Sequence, residues 1–137
     1  MFKKIILAMI VFVSIANASF KEVDYKQLQE MMKKDNIVVI DIRRDDEFKE
    51  YGIIKGAKTI TFFDARGKYD VPAWMKEFVK VVKSKDQPFV LYCAHANRSK
   101  VVGNFLAKQL GYKNVYDLKG GINYGWIDKG MKTVKFK

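Results

Sequence analysis

Only one cysteine and one histidine occur among the 137 residues, and they stand two positions apart, as Cys93 and His95. A single cysteine excludes an intramolecular disulfide, the common staple of small exported domains. A lone thiol in an oxidising compartment is a liability, so it needs either deep burial or a job. The chain also lacks any run of five or six like charges; its 26 Lys and Arg residues, against 15 Asp and Glu, are spread along its length. The formal charge of +11 therefore reads chiefly as a solubilising surface that also suits small anions, and no nucleic-acid partner is expected. Internal repeats, low-complexity stretches and linkers are missing too. The length supports one domain with a real core and is too short for two.

No apolar run reaches the roughly 20 residues that cross a bilayer comfortably. The longest, residues 5–16, follows Lys3 and Lys4 and is broken only by Ser14. Ala16-Asn17-Ala18 then places small residues where a signal peptidase reads them. The expectation is a signal peptide over residues 1–18, cleaved after Ala18, and an exported, periplasmic domain over residues 19–137. The other reading of the same stretch is an uncleaved anchor, for which it is short. With no cysteine beside the cleavage site, lipid attachment there is excluded.

What is present alternates short apolar runs with segments of helical periodicity. That pattern predicts an α/β domain of three layers, with a central, mainly parallel five-stranded sheet and helices on both faces. Strands are expected over residues 20–23, 37–42, 57–62, 89–92 and 114–117. Asp24 is placed to cap a helix through Met32, with Gln27 in the capping-box position. A short acidic helix is expected over residues 45–50. Pro72 suits the first turn of a helix reaching Val82, with Trp74, Phe78, Val81 and Val82 as its buried stripe. A further helix over residues 99–110 would turn Val101, Val102, Phe105, Leu106 and Leu110 inward and end at Gly111. Gly120-Gly121 leads into a last helix that carries Trp126.

The segment PFVLYCAHANRSKVVGNFLAKQLG is the most informative. A buried strand ends on Cys93, a tight loop follows, and a helix begins at Ser99. Open α/β sheets bind ligands beyond the carboxyl ends of their strands, which puts Cys93 in the ligand crevice. Successive loop N–H groups can converge into an anion-binding nest, and the helix start adds positive partial charge. Arg98 adds a full charge and a fork of donors. Each favours thiolate over thiol, as a nucleophilic cysteine requires. The bland alternative is an inert buried cysteine that merely ends a strand. Arg43, Arg44, Phe62, Phe63, Asp64, Arg66 and Lys119 stand at other strand ends and are expected to ring the same crevice. Asp41 and Arg43 have a structural alternative, bonding backbone and pairing with an acid such as Glu47.

Along nearly the whole length after residue 18 the chain resembles the rhodanese family. VVIDIRRDDEF resembles its Asp-x-Arg strand end with the following acidic helix, and GIIKGA its Gly-His-Ile-Pro-Gly-Ala segment. YCAHANRS matches the Cys-x-x-Gly-x-Arg-Ser active loop, and GYKNVYDLKGGINYGW the closing strand, glycine pair and tryptophan. The resemblance implies a sulfurtransferase with Cys93 and Arg98 as its catalytic pair. The Cys93 thiolate would take a sulfane sulfur from a small anionic donor, thiosulfate or polysulfide, and pass it to a thiol or cyanide acceptor. A redox protein is one such acceptor, and a membrane would be met only through a partner. Loop amides of Ala94, His95, Ala96, Asn97 and Arg98, with Ser99 joining loop to helix, would hold the persulfide. Arg43 is carried with them as a substrate-binding candidate. No metal or cofactor is implied.

Cys93 and Arg98 enclose four residues, as in the sulfurtransferases of the family; the related dual-specificity cell-cycle and tyrosine phosphatases enclose five. The shorter loop favours one sulfur atom over a phosphoryl group. Several positions depart from the family pattern. Ala94 stands where many thiosulfate-using members have a cation, and Ala96 replaces the loop glycine. Ile53 and Lys55 replace His and Pro, and His95 occupies a position that often carries a hydroxyl. Two readings therefore stand beside the enzyme: a periplasmic carrier that holds persulfide for a membrane partner without much turnover, and a rhodanese-like interaction module.

Overall fold

A computed structural model describes residues 19–137. The expected signal peptide lies outside the described residues. The chain runs β1 (Ser19–Val23), α1 (Tyr25–Lys34), β2 (Val38–Asp41), α2 (Asp45–Tyr51), β3 (Lys58–Thr59), α3 (Val71–Val81) and β4 (Phe89–Tyr92). It continues through α4 (Asn97–Asn104), β5 (Asn114–Leu118) and α5 (Gly121–Gly125). The five strands form one sheet in the order β1-β5-β4-β2-β3, with every pairing parallel. Among the described residues, no helix is long and apolar enough to cross a membrane.

Side chains alternate across the strands and so divide the core into two layers. Ile40, Phe89, Leu91 and Val115 face α3 and α4, where they pack with Trp74, Phe78, Val102 and Leu106. Val39, Val90, Tyr92 and Leu118 face the other way, onto Leu28 of α1 and Ile122 and Trp126 around α5. β4 is buried along its whole length because it lies mid-sheet with a helix layer on each side. The capping box expected at α1 is present, with Asp24 and Gln27 exchanging bonds of 2.8 Å. Asp70 caps α3 by accepting from the Ala73 amide.

Two expectations are corrected. The third strand shrinks from six residues to Lys58–Thr59. Beyond Thr59 the chain still follows β2, through Ile60 N–H to Asp41 O and Phe62 N–H to Ile42 O. Regular pairing stops because the Arg43 amide turns back to Asp41 Oδ1. Val101, expected inward, is 62 % exposed. Adjacent helical residues point about 100° apart, so only one of Val101 and Val102 can face the sheet, and Val102 does. A π-helical turn over Phe105–Gln109 then re-aims the last turn and buries Leu106 and Ala107.

Candidate functional site

β4 delivers Cys93 to the carboxyl end of the sheet, where the thiol is 1 % exposed. The start of α5 clamps this strand end from the far side. Ile122 N–H donates to Cys93 O at 2.9 Å and Asn123 N–H to Ala94 O at 3.0 Å. That approach requires Gly121, whose φ is +66°. A Cβ there would run into the Ala94 carbonyl and lie 2.6 Å from Cys93 O.

The loop reverses at Ala96, which takes a left-handed conformation (φ 70°) directly before α4. A left-handed residue followed directly by right-handed helical ones can turn consecutive amides to one side, as in a backbone nest. At its base, Ser99 touches the sulfur twice. Its amide donates to Cys93 Sγ at 3.3 Å, and the thiol donates to Ser99 Oγ at 3.4 Å. Ala94, Ala96 and Ser99 are buried, whereas His95 is exposed. The His95 ring stacks on Tyr124 with centroids 4.6 Å apart, and its Nε2 lies 3.2 Å from Asn123 Nδ2. The only histidine is thus held by α5 at the loop's outer edge.

Arg98 does not aim its fork at the sulfur. Its two terminal nitrogens donate to the two carboxylate oxygens of Glu47 in α2, each at 2.7 Å. Those hydrogen bonds, against opposing burial, raise the guanidinium above its ordinary value. Burial pushes the Glu47 carboxyl up, but the Arg98 fork, the Arg44 amide and the two guanidinium charges hold it below its ordinary value. The structure therefore brings Cys93, Ala94, His95, Ala96, Asn97, Arg98 and Ser99 together.

Arg43 is not among them. It is fully buried, with Nε and Nη2 on the Asp41 carboxylate and Nη2 also donating to Gly52 O at 2.7 Å. Burial alone would lower this guanidinium, but Asp41 more than offsets it. Arg43 pins the turn between β2 and α2, and the candidate substrate contact is replaced by this structural one. Its acid is Asp41, while Glu47 offers Arg43 only a carbonyl.

A cavity of about 460 Å³ opens over the loop, lined by Arg44, Phe63, Asp64, Asn97, Arg98 and Val101 among others. Phe63, Arg44 and Asp64 were expected at this rim. Phe62 is instead core, and Arg66 and Lys119 are exposed and do not line the cavity. Arg44 gives its fork to Asp46.

One residue of the site carries no sequence signal. Asp117, on β5, is fully buried and accepts from Ser99 Oγ at 2.5 Å. Burial, offset in part by Ser99 and Lys100, raises its carboxyl from 3.8 to about 7. In sequence it reads as a polar strand end; its meaning comes from Ser99, 18 positions away.

The family model for the Rhodanese-like domain matches residues 24–128. The chain is 33 % identical over 102 residues to a tRNA uridine(34) hydroxylase of Acinetobacter baumannii (strain AYE), a match that takes in 72 % of the chain but only 29 % of that protein. To the thiosulfate sulfurtransferase GlpE of Coxiella burnetii (strain RSA 331) it is 29 % identical over 102 residues, covering 74 % of the chain and 83 % of that protein. Among solved structures, the 30 kDa polysulfide-sulfur transferase homodimer of Wolinella succinogenes matches with a TM-score of 0.64 at 22 % identity, covering 89 % of this chain and 83 % of that one. This last likeness is one of fold.

Proposed function

The chain belongs to the family of rhodanese-like domains, and from that membership we propose that it transfers sulfane sulfur through a persulfide on Cys93. The observation that carries the reading is the buried Cys93 sulfur at a strand end, seated on the Ser99 amide and ringed by a loop locked through Arg98. Similarity to a thiosulfate sulfurtransferase over most of that protein's length supports it.

In the first step the Cys93 thiolate forms a bond to the outer sulfur of the donor. The bond from that sulfur to the rest of the donor breaks, and the remainder leaves with the electron pair, as sulfite or as a shortened polysulfide. In the second step an acceptor thiolate or cyanide attacks the outer sulfur of the persulfide. The pair of that S–S bond returns to Cys93. No net oxidant or reductant is consumed.

Polysulfide is favoured over thiosulfate as donor. A sulfonate group needs a free cation near the thiol, yet Arg98, Arg43 and Arg44 all give their forks to carboxylates, and Ala94 supplies none. A narrow, weakly hydrated sulfur chain fits a buried thiol better. Burial of the sulfur also favours the carrier reading, because a persulfide under the loop is shielded from bulk nucleophiles. The expected site of action is outside the cytoplasm, on the strength of residues 1–18, with an exported thiol protein as acceptor.

Intact mass after incubation with polysulfide and, separately, with thiosulfate tests this reading. One added sulfur is expected with polysulfide, absent in Cys93→Ser, whose hydroxyl has no evident base to activate it. Rapid thiocyanate formation from the loaded protein and cyanide would mark an enzyme; a stable persulfide would mark a carrier. Failure to load from either donor would remove the proposal.

A further inference from the structure

Asp117 sits where the pattern of β5 calls for an apolar residue. It shares a sheet face with Val115, which is wholly core, and it is itself fully buried. A carboxylate in such a place is costly unless its oxygens are hydrogen-bonded. One oxygen accepts from Ser99 Oγ at 2.5 Å; the other, Oδ2, is buried with no partner among the described residues. Ser99 Oγ in turn lies 3.4 Å from Cys93 Sγ, as acceptor of the thiol. The three side chains form a file from the reacting sulfur to a carboxyl that water does not reach.

We propose that Asp117 receives the Cys93 thiol proton through the Ser99 hydroxyl, so that the thiolate forms without a base at the mouth of the site. The inference rests on the sulfur-transfer reading above and adds to it the origin of the nucleophile. The proton leaves Sγ for Ser99 Oγ while the hydroxyl proton of Ser99 passes to Asp117 Oδ1. Afterwards Ser99 donates to the thiolate and the neutral carboxyl donates to Ser99; no proton is gained or lost. When the acceptor removes the outer sulfur and the electron pair returns to Cys93, the proton can come back along the same path. Ser99 touches the reacting atom; Asp117 acts through it and is a positioning residue.

Base strength fits the task. An ordinary carboxyl is too weak a base to compete for a thiol proton, whereas burial lifts this one to about 7. Charged groups around it are few. Glu22, its partner on β1, pushes the carboxyl up, and Lys100, on the first turns of α4, draws it down. Those two also pair with each other at 3.1 Å. From β4 it is faced by Leu91, which carries no charge. On the sulfur side stand the Arg98 charge, already held by Glu47, and His95 at the exposed rim.

The test is the rate of Cys93 alkylation against pH, which needs no sulfur donor and is therefore independent of whether sulfur transfer is confirmed. Two groups sharing one proton titrate as a pair in two steps. In the wild type the profile should show two rises, the lower one near pH 7, with a plateau between them. Asp117→Asn removes the proton acceptor and Ser99→Ala breaks the path while leaving Asp117 in place; each should leave a single rise. A difference infrared spectrum of the wild type between the thiol and the alkylated protein provides a readout that needs no variant to fold. It should show the Asp117 carboxyl losing its proton on alkylation at a pH within that plateau, where the thiol protein shares one proton between the two groups. A single rise in the wild type, two rises that survive in either variant, or no carboxyl change would overturn the proposal.

Discussion

Arg98 and Glu47, 51 positions apart in the chain, meet through two parallel bonds of 2.7 Å. The contact joins the Cys93–Ser99 loop to the helix that follows β2, so an ion pair closes the loop on the side away from the α5 clamp. It lies partly out of water, with the two side chains 25 % and 13 % exposed. With two of its N–H donors given to Glu47, the Arg98 guanidinium would, under the proposed function, hold the loop's shape and add field at the sulfur.

Glu47→Gln should therefore weaken the site twice over. Loss of the carboxylate leaves the partly buried Arg98 charge with a single neutral amide oxygen in place of its counter-ion, costing about 1–3 kcal/mol of stability. Sulfur loading of Cys93 should slow at least about tenfold, a barrier change near 1.4 kcal/mol, because the nest is no longer fixed. Arg98→Lys should resemble it, since lysine keeps the charge but not the planar fork. Urea unfolding and loading rates on both variants check this; wild-type loading in Glu47→Gln would show that the pair is incidental.

Ala96 gives a second expectation, because it holds a positive φ at a buried position. The left-handed conformation costs an L-residue about 1–2 kcal/mol. Ala96→Gly relieves that strain but frees the unfolded chain, so a gain of only about 0.5 kcal/mol is expected. Ala96→Val adds β-branching at positive φ inside a packed loop and should cost about 3 kcal/mol. Thermal midpoints should rank Gly at or above Ala and both far above Val. A tolerated valine would mean that the loop reverses elsewhere.

The parts of the fold legible in sequence are those set by local pattern. The uninterrupted apolar run before Cys93 reads as a buried strand, and Asp24 with Gln27 marks the first helix start. The loop residues 93–99 were legible because strand end, loop and helix start are consecutive. Relationships across the chain were not. The sequence set Arg98 in the loop and left Arg43 open between the rim and a structural pairing, with Glu47 as the example acid; only tertiary packing decides that Arg43 binds Asp41 and that Glu47 goes to Arg98. Asp117 carried no local signal at all, because one acidic residue closing a strand is ordinary until Ser99 lies against it.

Asp117 also sets a pH dependence of stability whose sign is opposite to that of an ion-paired carboxylate. Its carboxyl is raised in the fold from 3.8 to about 7. Between those values the folded chain keeps a proton that the unfolded chain has released. Stability must then fall as pH rises from about 4 to about 7, and level off above, where both states are ionised. At 1.36 kcal/mol per pKa unit the total is on the order of 4 kcal/mol. Glu47 works in the other direction and in another window: its carboxyl is held below 4.5, so its contribution is present above that value and lost only as pH falls further. Urea midpoints at half-unit steps from pH 4.5 to 8 separate the two. The wild type should lose stability up to about pH 7 and then level off, and Asp117→Asn, which has nothing to ionise, should be nearly flat. A wild-type curve that rises toward pH 7, or a slope unchanged in Asp117→Asn, would show that the buried carboxyl is ionised throughout.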